Sequence, residues 1–444
     1  VPTTERADSD INPAYQGLYP GVIISKEQYL DRRNNWWNNI ATRDTPTTGI
    51  VNNLNVFIRF SDEEEFNTPR SIYDIPFNSE NGPSMKHYFY EVSYELLTVN
   101  TIHYPECDMD VNISYQDQHP RSYYQPYNAT TNTNGYTESE RTEREHTLLQ
   151  NAITYIADEV PDSLIIDADG DDYVDNVTFL VSGFPGGWAD LLWPHRWALY
   201  SVESYINEKR VWDYNFNLSS GPYFSVGTLC HEFGHSLGAP DLYHYWDDVA
   251  PVAVGGWDVM DATSDIPQWP SAYIKYRYFD WIELQDASQG GTYTLNPLGE
   301  PDNNAYRVDS SNPNEYFVLE YRTQSGIYDT YAPGNDQGIV IYRVNDVYNG
   351  QGNANGPPDE LYVYRVGGTS NSNGNFGLAV FSADVGRTQF NDSTNPSSFL
   401  SDNSLGGVNI TNIGPADSTI EFTVLNLVLY EHTKKHFFFF FRHP

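Results

Sequence analysis

The run His231-Glu232-Phe233-Gly234-His235-Ser236-Leu237-Gly238-Ala239-Pro240-Asp241 requires a helix that forms, stops and doubles back within a few residues. On an α-helix, residues i and i+4 lie one turn apart on the same face, so His231 and His235 can offer two imidazole nitrogens to one metal ion. Val226, Leu229, Phe233 and Leu237 recur at three- and four-residue spacing and predict a buried stripe facing away from that ion. Gly238 stands where the ending helix needs a residue free to take positive φ, and Pro240 keeps the helix from resuming. The turn carries Asp241 back as a third ligand, a carboxylate oxygen being a normal zinc ligand at roughly 2.0–2.2 Å. A fourth position is then left for water, and Glu232, beside the first ligand but not among the ligands, is placed to take a proton from it.

HExxH alone arises by chance in long chains, and here the supporting context decides its meaning. Downstream lies Gly255-Gly256-Trp257-Asp258-Val259-Met260-Asp261, a glycine-rich turn holding one of only three methionines in the chain. The stretch from His231 through Tyr243, then Gly256 to Met260 and Trp281, resembles the immune inhibitor A family of secreted bacterial metallopeptidases. Ser84 to Tyr94, Trp193 to Trp197, Phe317 to Arg322 and Gly338 to Arg343 resemble further segments of that family, so the likeness runs from about Asn53 to Leu425. It implies a metzincin-like zinc endopeptidase with a methionine turn beneath the metal. It also implies protein or peptide substrates and secretion to the extracellular space. An acidic residue further on, Asp247 or Glu283, is the alternative to Asp241 as third ligand.

At 444 residues the chain is too long for one core. The expected division is an N-terminal segment over 1–48 that is a pro-segment remnant or a wrap, an α+β zincin-like catalytic domain over 49–285, an all-β sandwich over 286–428, and a tail over 429–444. Sixty acidic against 24 basic residues give a formal charge of −36, which argues against nucleic acid or an anionic membrane as partner. No apolar run is long enough to span a bilayer, and a monomer is expected. Two cysteines, Cys107 and Cys230, form no disulfide framework, and their spacing does not decide whether they pair.

In the catalytic stretch, Leu54 to Phe60 and Val177 to Val181 read as strands, the second placed by chain order along the cleft. Ser84 to Leu97 reads as a helix capped by Ser84. Thr137-Glu138-Ser139-Glu140 reads as a capping box, opening a helix with an apolar stripe of Leu148, Leu149, Ala152, Ile153, Ile156 and Ala157, which the resemblance to zincin folds implies should back the metal helix. Next come Asp167, Asp169, Asp171 and Asp175 around Gly170. Alternating carboxylates of this kind can converge on Ca²⁺, which takes six to eight oxygens, and they repel one another without a cation. His195, in an aromatic segment, is a candidate to polarise the scissile carbonyl, and Tyr243 or Tyr273 to donate to an oxyanion.

Beyond Gly290, runs at 292–295, 305–309, 316–321, 338–344, 361–366, 377–381, 408–413 and 419–425 predict about eight strands. The functional expectation is a zinc-dependent endopeptidase with Glu232 as general base and structural calcium. The alternative is a calcium-stabilised, adhesin-like binding protein with an idle zinc site. Against it stands Glu232, for which a closed structural site with four protein ligands has no use.

Overall fold

The computed structural model describes residues 45–137, 139–184, 191–245 and 249–425. Glu138 of the expected capping box, the N-terminal segment up to residue 44, the alternative ligand Asp247 and the Phe-rich tail lie outside the described residues. The architecture is mixed, with several sheets and few helices.

The first half carries strands β1 (Gly49–Arg59), β2 (Leu97–Tyr104), β3 (Tyr115–Gln116), β4 (Val177–Val181), β5 (His195–Ala198), β6 (Tyr205–Ile206), β7 (Lys209–Arg210) and β8 (Asp213–Leu218). Its helices are α1 (Arg70–Asn78), α2 (Met85–Val92), α3 (Arg141–Ile156) and α4 (Val226–Ser236). The main sheet runs β2-β1-β4-β8-β5, with β3 beside the far end of β1; all pairs are parallel except β5 against β8. Thus Val177–Val181 is a central strand, and the strand at that edge is β5. Chain order misplaced it because β8 was not expected. Its sequence, Asp-Tyr-Asn-Phe-Asn-Leu, alternates aromatic or aliphatic residues with polar ones that look solvated but are all buried.

Each face of this sheet carries its own core. Leu54, Val56, Ile58, Phe179, Tyr214 and Phe216 pack with the Leu148, Leu149, Ile153 and Ile156 stripe of α3. On the other face, Val51 and Val99 join Met85, Phe89 and Val92 of α2 and Leu229 and Phe233 of α4. The expected partnership of α3 with the metal helix is therefore corrected, since α3 lies across the sheet from it. The helix against α4 is α2, capped by Ser84, whose Phe89 ring sits 5.0 Å from that of Phe233.

The short α5 (Ala272–Arg277) leads into β9 (Gln285–Asp286), β10 (Gly291–Leu295), β11 (Ala305–Asp309), β12 (Glu315–Arg322), β13 (Gly338–Asn345), β14 (Leu361–Val363), β15 (Phe390–Asn391), β16 (Asn409–Thr411) and β17 (Ile420–Val424). They form two sheets, β14-β13-β12-β11-β9 and β10-β17-β16-β15, antiparallel except for β9 with β11. Aromatic contacts join the sheets, Phe317 meeting Phe390 at 5.7 Å and Tyr306 meeting Phe422 at 5.4 Å. The run expected as a strand at 377–381 begins instead in a 3₁₀ turn, Phe376–Leu378. One apolar cluster runs from α2 and α4 through Met260 to Phe317, Val340 and Phe422. The boundary near residue 285 thus separates sheets without separating cores.

Candidate metal centre

Ser225 opens α4 by accepting a hydrogen bond from the Thr228 amide at 3.1 Å, and the helix ends where Gly238 adopts φ +99°. His231 and His235 then stand one turn apart, and Asp241 comes back beneath them. The Nε2 atoms of the two imidazoles are 3.1 Å apart, and Asp241 Oδ1 lies 3.1 Å from one and 3.2 Å from the other. Ligand atoms around a tetrahedral zinc with bonds of ~2.0–2.1 Å stand about 3.3–3.4 Å from one another, so the triangle has nearly the right size.

The outer contacts fit a metal as well. His231 Nδ1 donates to the Val259 carbonyl at 2.9 Å and His235 Nδ1 to the Ala239 carbonyl at 2.7 Å. A carbonyl can only accept, so each Nδ1 carries the hydrogen, and each neutral ring turns its Nε2 lone pair toward Asp241. Three lone-pair atoms this close repel unless a cation stands among them. Burial disfavours charge on His231, but the hydrogen bond to Asp241 and the charges of Glu232 and Asp241 outweigh it and hold the ring up to about 9. The second Asp241 oxygen accepts from the Tyr245 hydroxyl. Tyr245, unnoticed in the sequence, stands four residues past the ligand in an aromatic run whose alternation was the only available signal.

Glu232 is buried, and burial raises its pKa against the pull of His231 and His235. Its carbonyl accepts from Asn215 Nδ2 at 3.0 Å, and that same amide donates to Ser236 Oγ at 3.0 Å. Ser236 in turn donates to Asn176, which donates to Asn53 and Asn215. Asn215 of β8 thus anchors α4 to the sheet. On the opposite side of α4, a Cβ on Gly234 would lie 2.7 Å from Met260 Sδ, so the methionine packs directly against the helix between the two histidines. Asp258 and Asp261 brace this turn by accepting the amides of Met260, Ser271, Val254 and Gly255.

The other expected residues divide. Tyr243 is buried beside the triad, its ring 6.3 Å from that of His231. His195 lies near enough to Glu232 for its charge to lower that carboxyl's pKa, and both of its ring nitrogens are engaged. Its Nδ1 meets the Trp193 carbonyl at 2.6 Å, its Nε2 meets Glu145 of α3 at 2.8 Å, and its ring stacks on Phe216. Tyr273 is committed to Glu360 at 2.7 Å, and Glu283 is exposed and outside the cluster. Cys107 and Cys230 are both free thiols.

A second group forms from Asp167, Asp169 and Asp175, whose ligand oxygens lie within 4.8 Å of one another. Asp171, expected among them, lies outside the group and accepts the Tyr173 amide at 2.8 Å. Lys209 reaches Asp167 at 2.8 Å and Asp172 at 2.6 Å. Burial, followed by the charges of Asp169, Asp167 and Asp171, pushes Asp175 up to about 7. Among the described residues no helix is long and apolar enough to cross a membrane.

No family model and no curated protein matches the sequence. Among solved structures the chain is similar to wild-type OgpA from Akkermansia muciniphila, with a TM-score of 0.30 and 10% identity over 73% of this chain and 95% of that one. A second wild-type crystal form gives 0.29 and 11%, over 73% and 96%. Catalytically inactive OgpA in complex with an O-glycopeptide gives 0.29 and 10% over the same shares.

Proposed function

We propose that this chain is a secreted zinc-dependent endopeptidase. The observation that carries the reading is the convergence of His231, His235 and Asp241, with a buried carboxylate, Glu232, next to the first ligand. Bound zinc supplies Lewis acidity, drawing the pKa of water toward neutrality and polarising a carbonyl oxygen. Glu232 takes the proton of the attacking water and returns it to the departing amine. Tyr245 holds one Asp241 oxygen and so keeps the other for the ion. Tyr243 is the donor we assign to the developing oxyanion, and Tyr243→Phe should lower kcat with little change in KM. Asp167, Asp169 and Asp175 are assigned to calcium, whose hard oxygen preference suits three carboxylates.

The test is hydrolysis of unfolded casein by the wild type, by Glu232→Ala, and by protein stripped with a chelator and refilled with zinc in the presence of calcium. Cleavage by the wild type, its loss in the variant and its return with zinc are expected. Zinc-loaded wild type that cleaves nothing would sink the peptidase reading and leave the binding-protein alternative.

A further inference from the structure

The third ligand of the triad sits on a turn, and that turn is held from the far half of the chain. In the loop between β13 and β14, the Asn353 amide donates to the Asp241 carbonyl at 2.8 Å, and the Asn353 side chain donates to the Leu242 carbonyl at 2.9 Å. Asn353 is fully buried, and its side chain is satisfied on both ends, donating to the Leu361 carbonyl at 2.8 Å and accepting from the Leu361 amide at 3.1 Å. The contact continues past the ligand. Tyr245 donates its amide to the Ala354 carbonyl at 3.0 Å, and His244 meets Asp359 at 2.6 Å with both side chains nearly buried.

The approach is close enough to exclude a side chain. Gly352 has φ +61°, and a Cβ there would lie 2.2 Å from the Asp241 carbonyl oxygen and 2.7 Å from Pro240 Cβ. Glu360 accepts the amides of Gln351 and Gly352 at 2.9 and 2.6 Å, which fixes the loop as it meets the turn. No comparable bracket is needed for His231 or His235, which ride on a helix.

We infer that Asn353 is a positioning residue of the metal centre, and that the 351–360 loop of the second half sets where Asp241 stands. The inference rests on the zinc reading above. It is tested on the full chain with zinc itself, by competition against a chromophoric chelator, and with cobalt(II), whose visible absorption reports the ligand set. Asn353→Ala keeps the amide bond to Asp241 but removes the side-chain bonds to Leu242 and Leu361, and should weaken zinc binding toward the lower end of the roughly 10- to 100-fold range of outer partners and alter the cobalt spectrum. Gly352→Ala should do the same without removing a hydrogen bond. Gly386→Ala, also at positive φ (+71°) but with nothing within 4 Å of its Cβ, carries like backbone strain and should leave both readouts unchanged.

Zinc affinity and cobalt spectra equal to wild type in both loop variants, with only thermal stability lowered, would overturn the inference. A wild type that binds no zinc overturns the metal reading itself. Loss confined to Asn353→Ala and Gly352→Ala has no such explanation.

Discussion

The two candidate metal-binding groups among the described residues are built in opposite ways. The triad of His231, His235 and Asp241 is buried, and each member is fixed by a group distant from it in the chain or on another turn: Val259 and Ala239 for the histidines, Tyr245 and Asn353 for the aspartate. The acidic loop from Asp167 to Asp175 is made by neighbours in sequence, with Asp169 exposed and Lys209 spanning two of its carboxylates. The first arrangement is held by hydrogen bonds from other parts of the fold. In the second, like charges oppose assembly, and a cation is what offsets them.

The largest expected effect separates the two directly. Asp241→Asn should cut zinc affinity by more than the roughly 10- to 100-fold typical of an outer partner, and casein cleavage should fall with it. Asp175→Asn should leave zinc affinity unchanged. Calorimetric titration of both variants with zinc decides this, and equal losses would break the contrast.

The bracing behind the triad should have its own pH signature. Burial pushes Asp261 up to about 7, against the hydrogen bonds it accepts from Gly255 and Val254. An acid whose folded pKa lies above its unfolded value of ~3.9 favours the native state most at low pH, so stability falls as pH rises from about 4 to about 7 and is flat beyond. The span corresponds to roughly 4 kcal/mol at ~1.4 kcal/mol per unit. Denaturant unfolding of the wild type and Asp261→Asn at pH 5 and 7.5 should show this part of the slope in the wild type alone. A variant with an undiminished slope would assign the pH dependence elsewhere.

Calcium is the ion proposed for the other cluster. At a hundred times its Kd, one bound ion should raise the unfolding free energy by ~2.7 kcal/mol, and Asp169→Asn should remove most of the gain. Thermal unfolding with calcium and with a calcium chelator, zinc held constant, reads the difference. Identical melting curves would exclude calcium from the loop.

How far each region could be read from sequence follows the same contrast. The metal helix was legible because its stripe, its two histidines and its terminating Gly238 lie close together in sequence, with the stripe and histidines at helical spacing and Asp241 three residues past the glycine. Met260 was legible as a turn, and the closeness of its sulfur to Gly234 needed coordinates. Tyr245 and Asn353 act through tertiary contacts at no fixed spacing. Of the acidic loop, the chain showed the composition, but not that Asp167, Asp169 and Asp175 converge without Asp171. Strand β8 was missed because its asparagines serve a buried polar face, where period-2 patterning looks like that of a solvated loop. The misplacement of β4 at the sheet edge followed from that omission.

The smallest effect gives the finest test of the contrast, because it sets two similar substitutions against each other. Gly234→Ala puts a Cβ 2.7 Å from Met260 Sδ, and overpacking of this kind costs ~1–3 kcal/mol, partly offset by about 1 kcal/mol of helix propensity. Gly170→Ala meets nothing within 4 Å but must adopt φ +77°, at about 1–2 kcal/mol. The two should therefore lower thermal stability by similar small amounts. Their activities should part company, since a shift of α4 moves His231 and His235 together, while a strained acidic loop moves no ligand of the triad. One route could defeat this: Asp175 and Asn176 continue from the loop, the first accepting from Thr45 at its carbonyl and the second accepting from Ser236 of the metal helix. If kcat/KM falls as far in Gly170→Ala as in Gly234→Ala, that route carries strain between the clusters, and the acidic loop is part of what holds the metal helix.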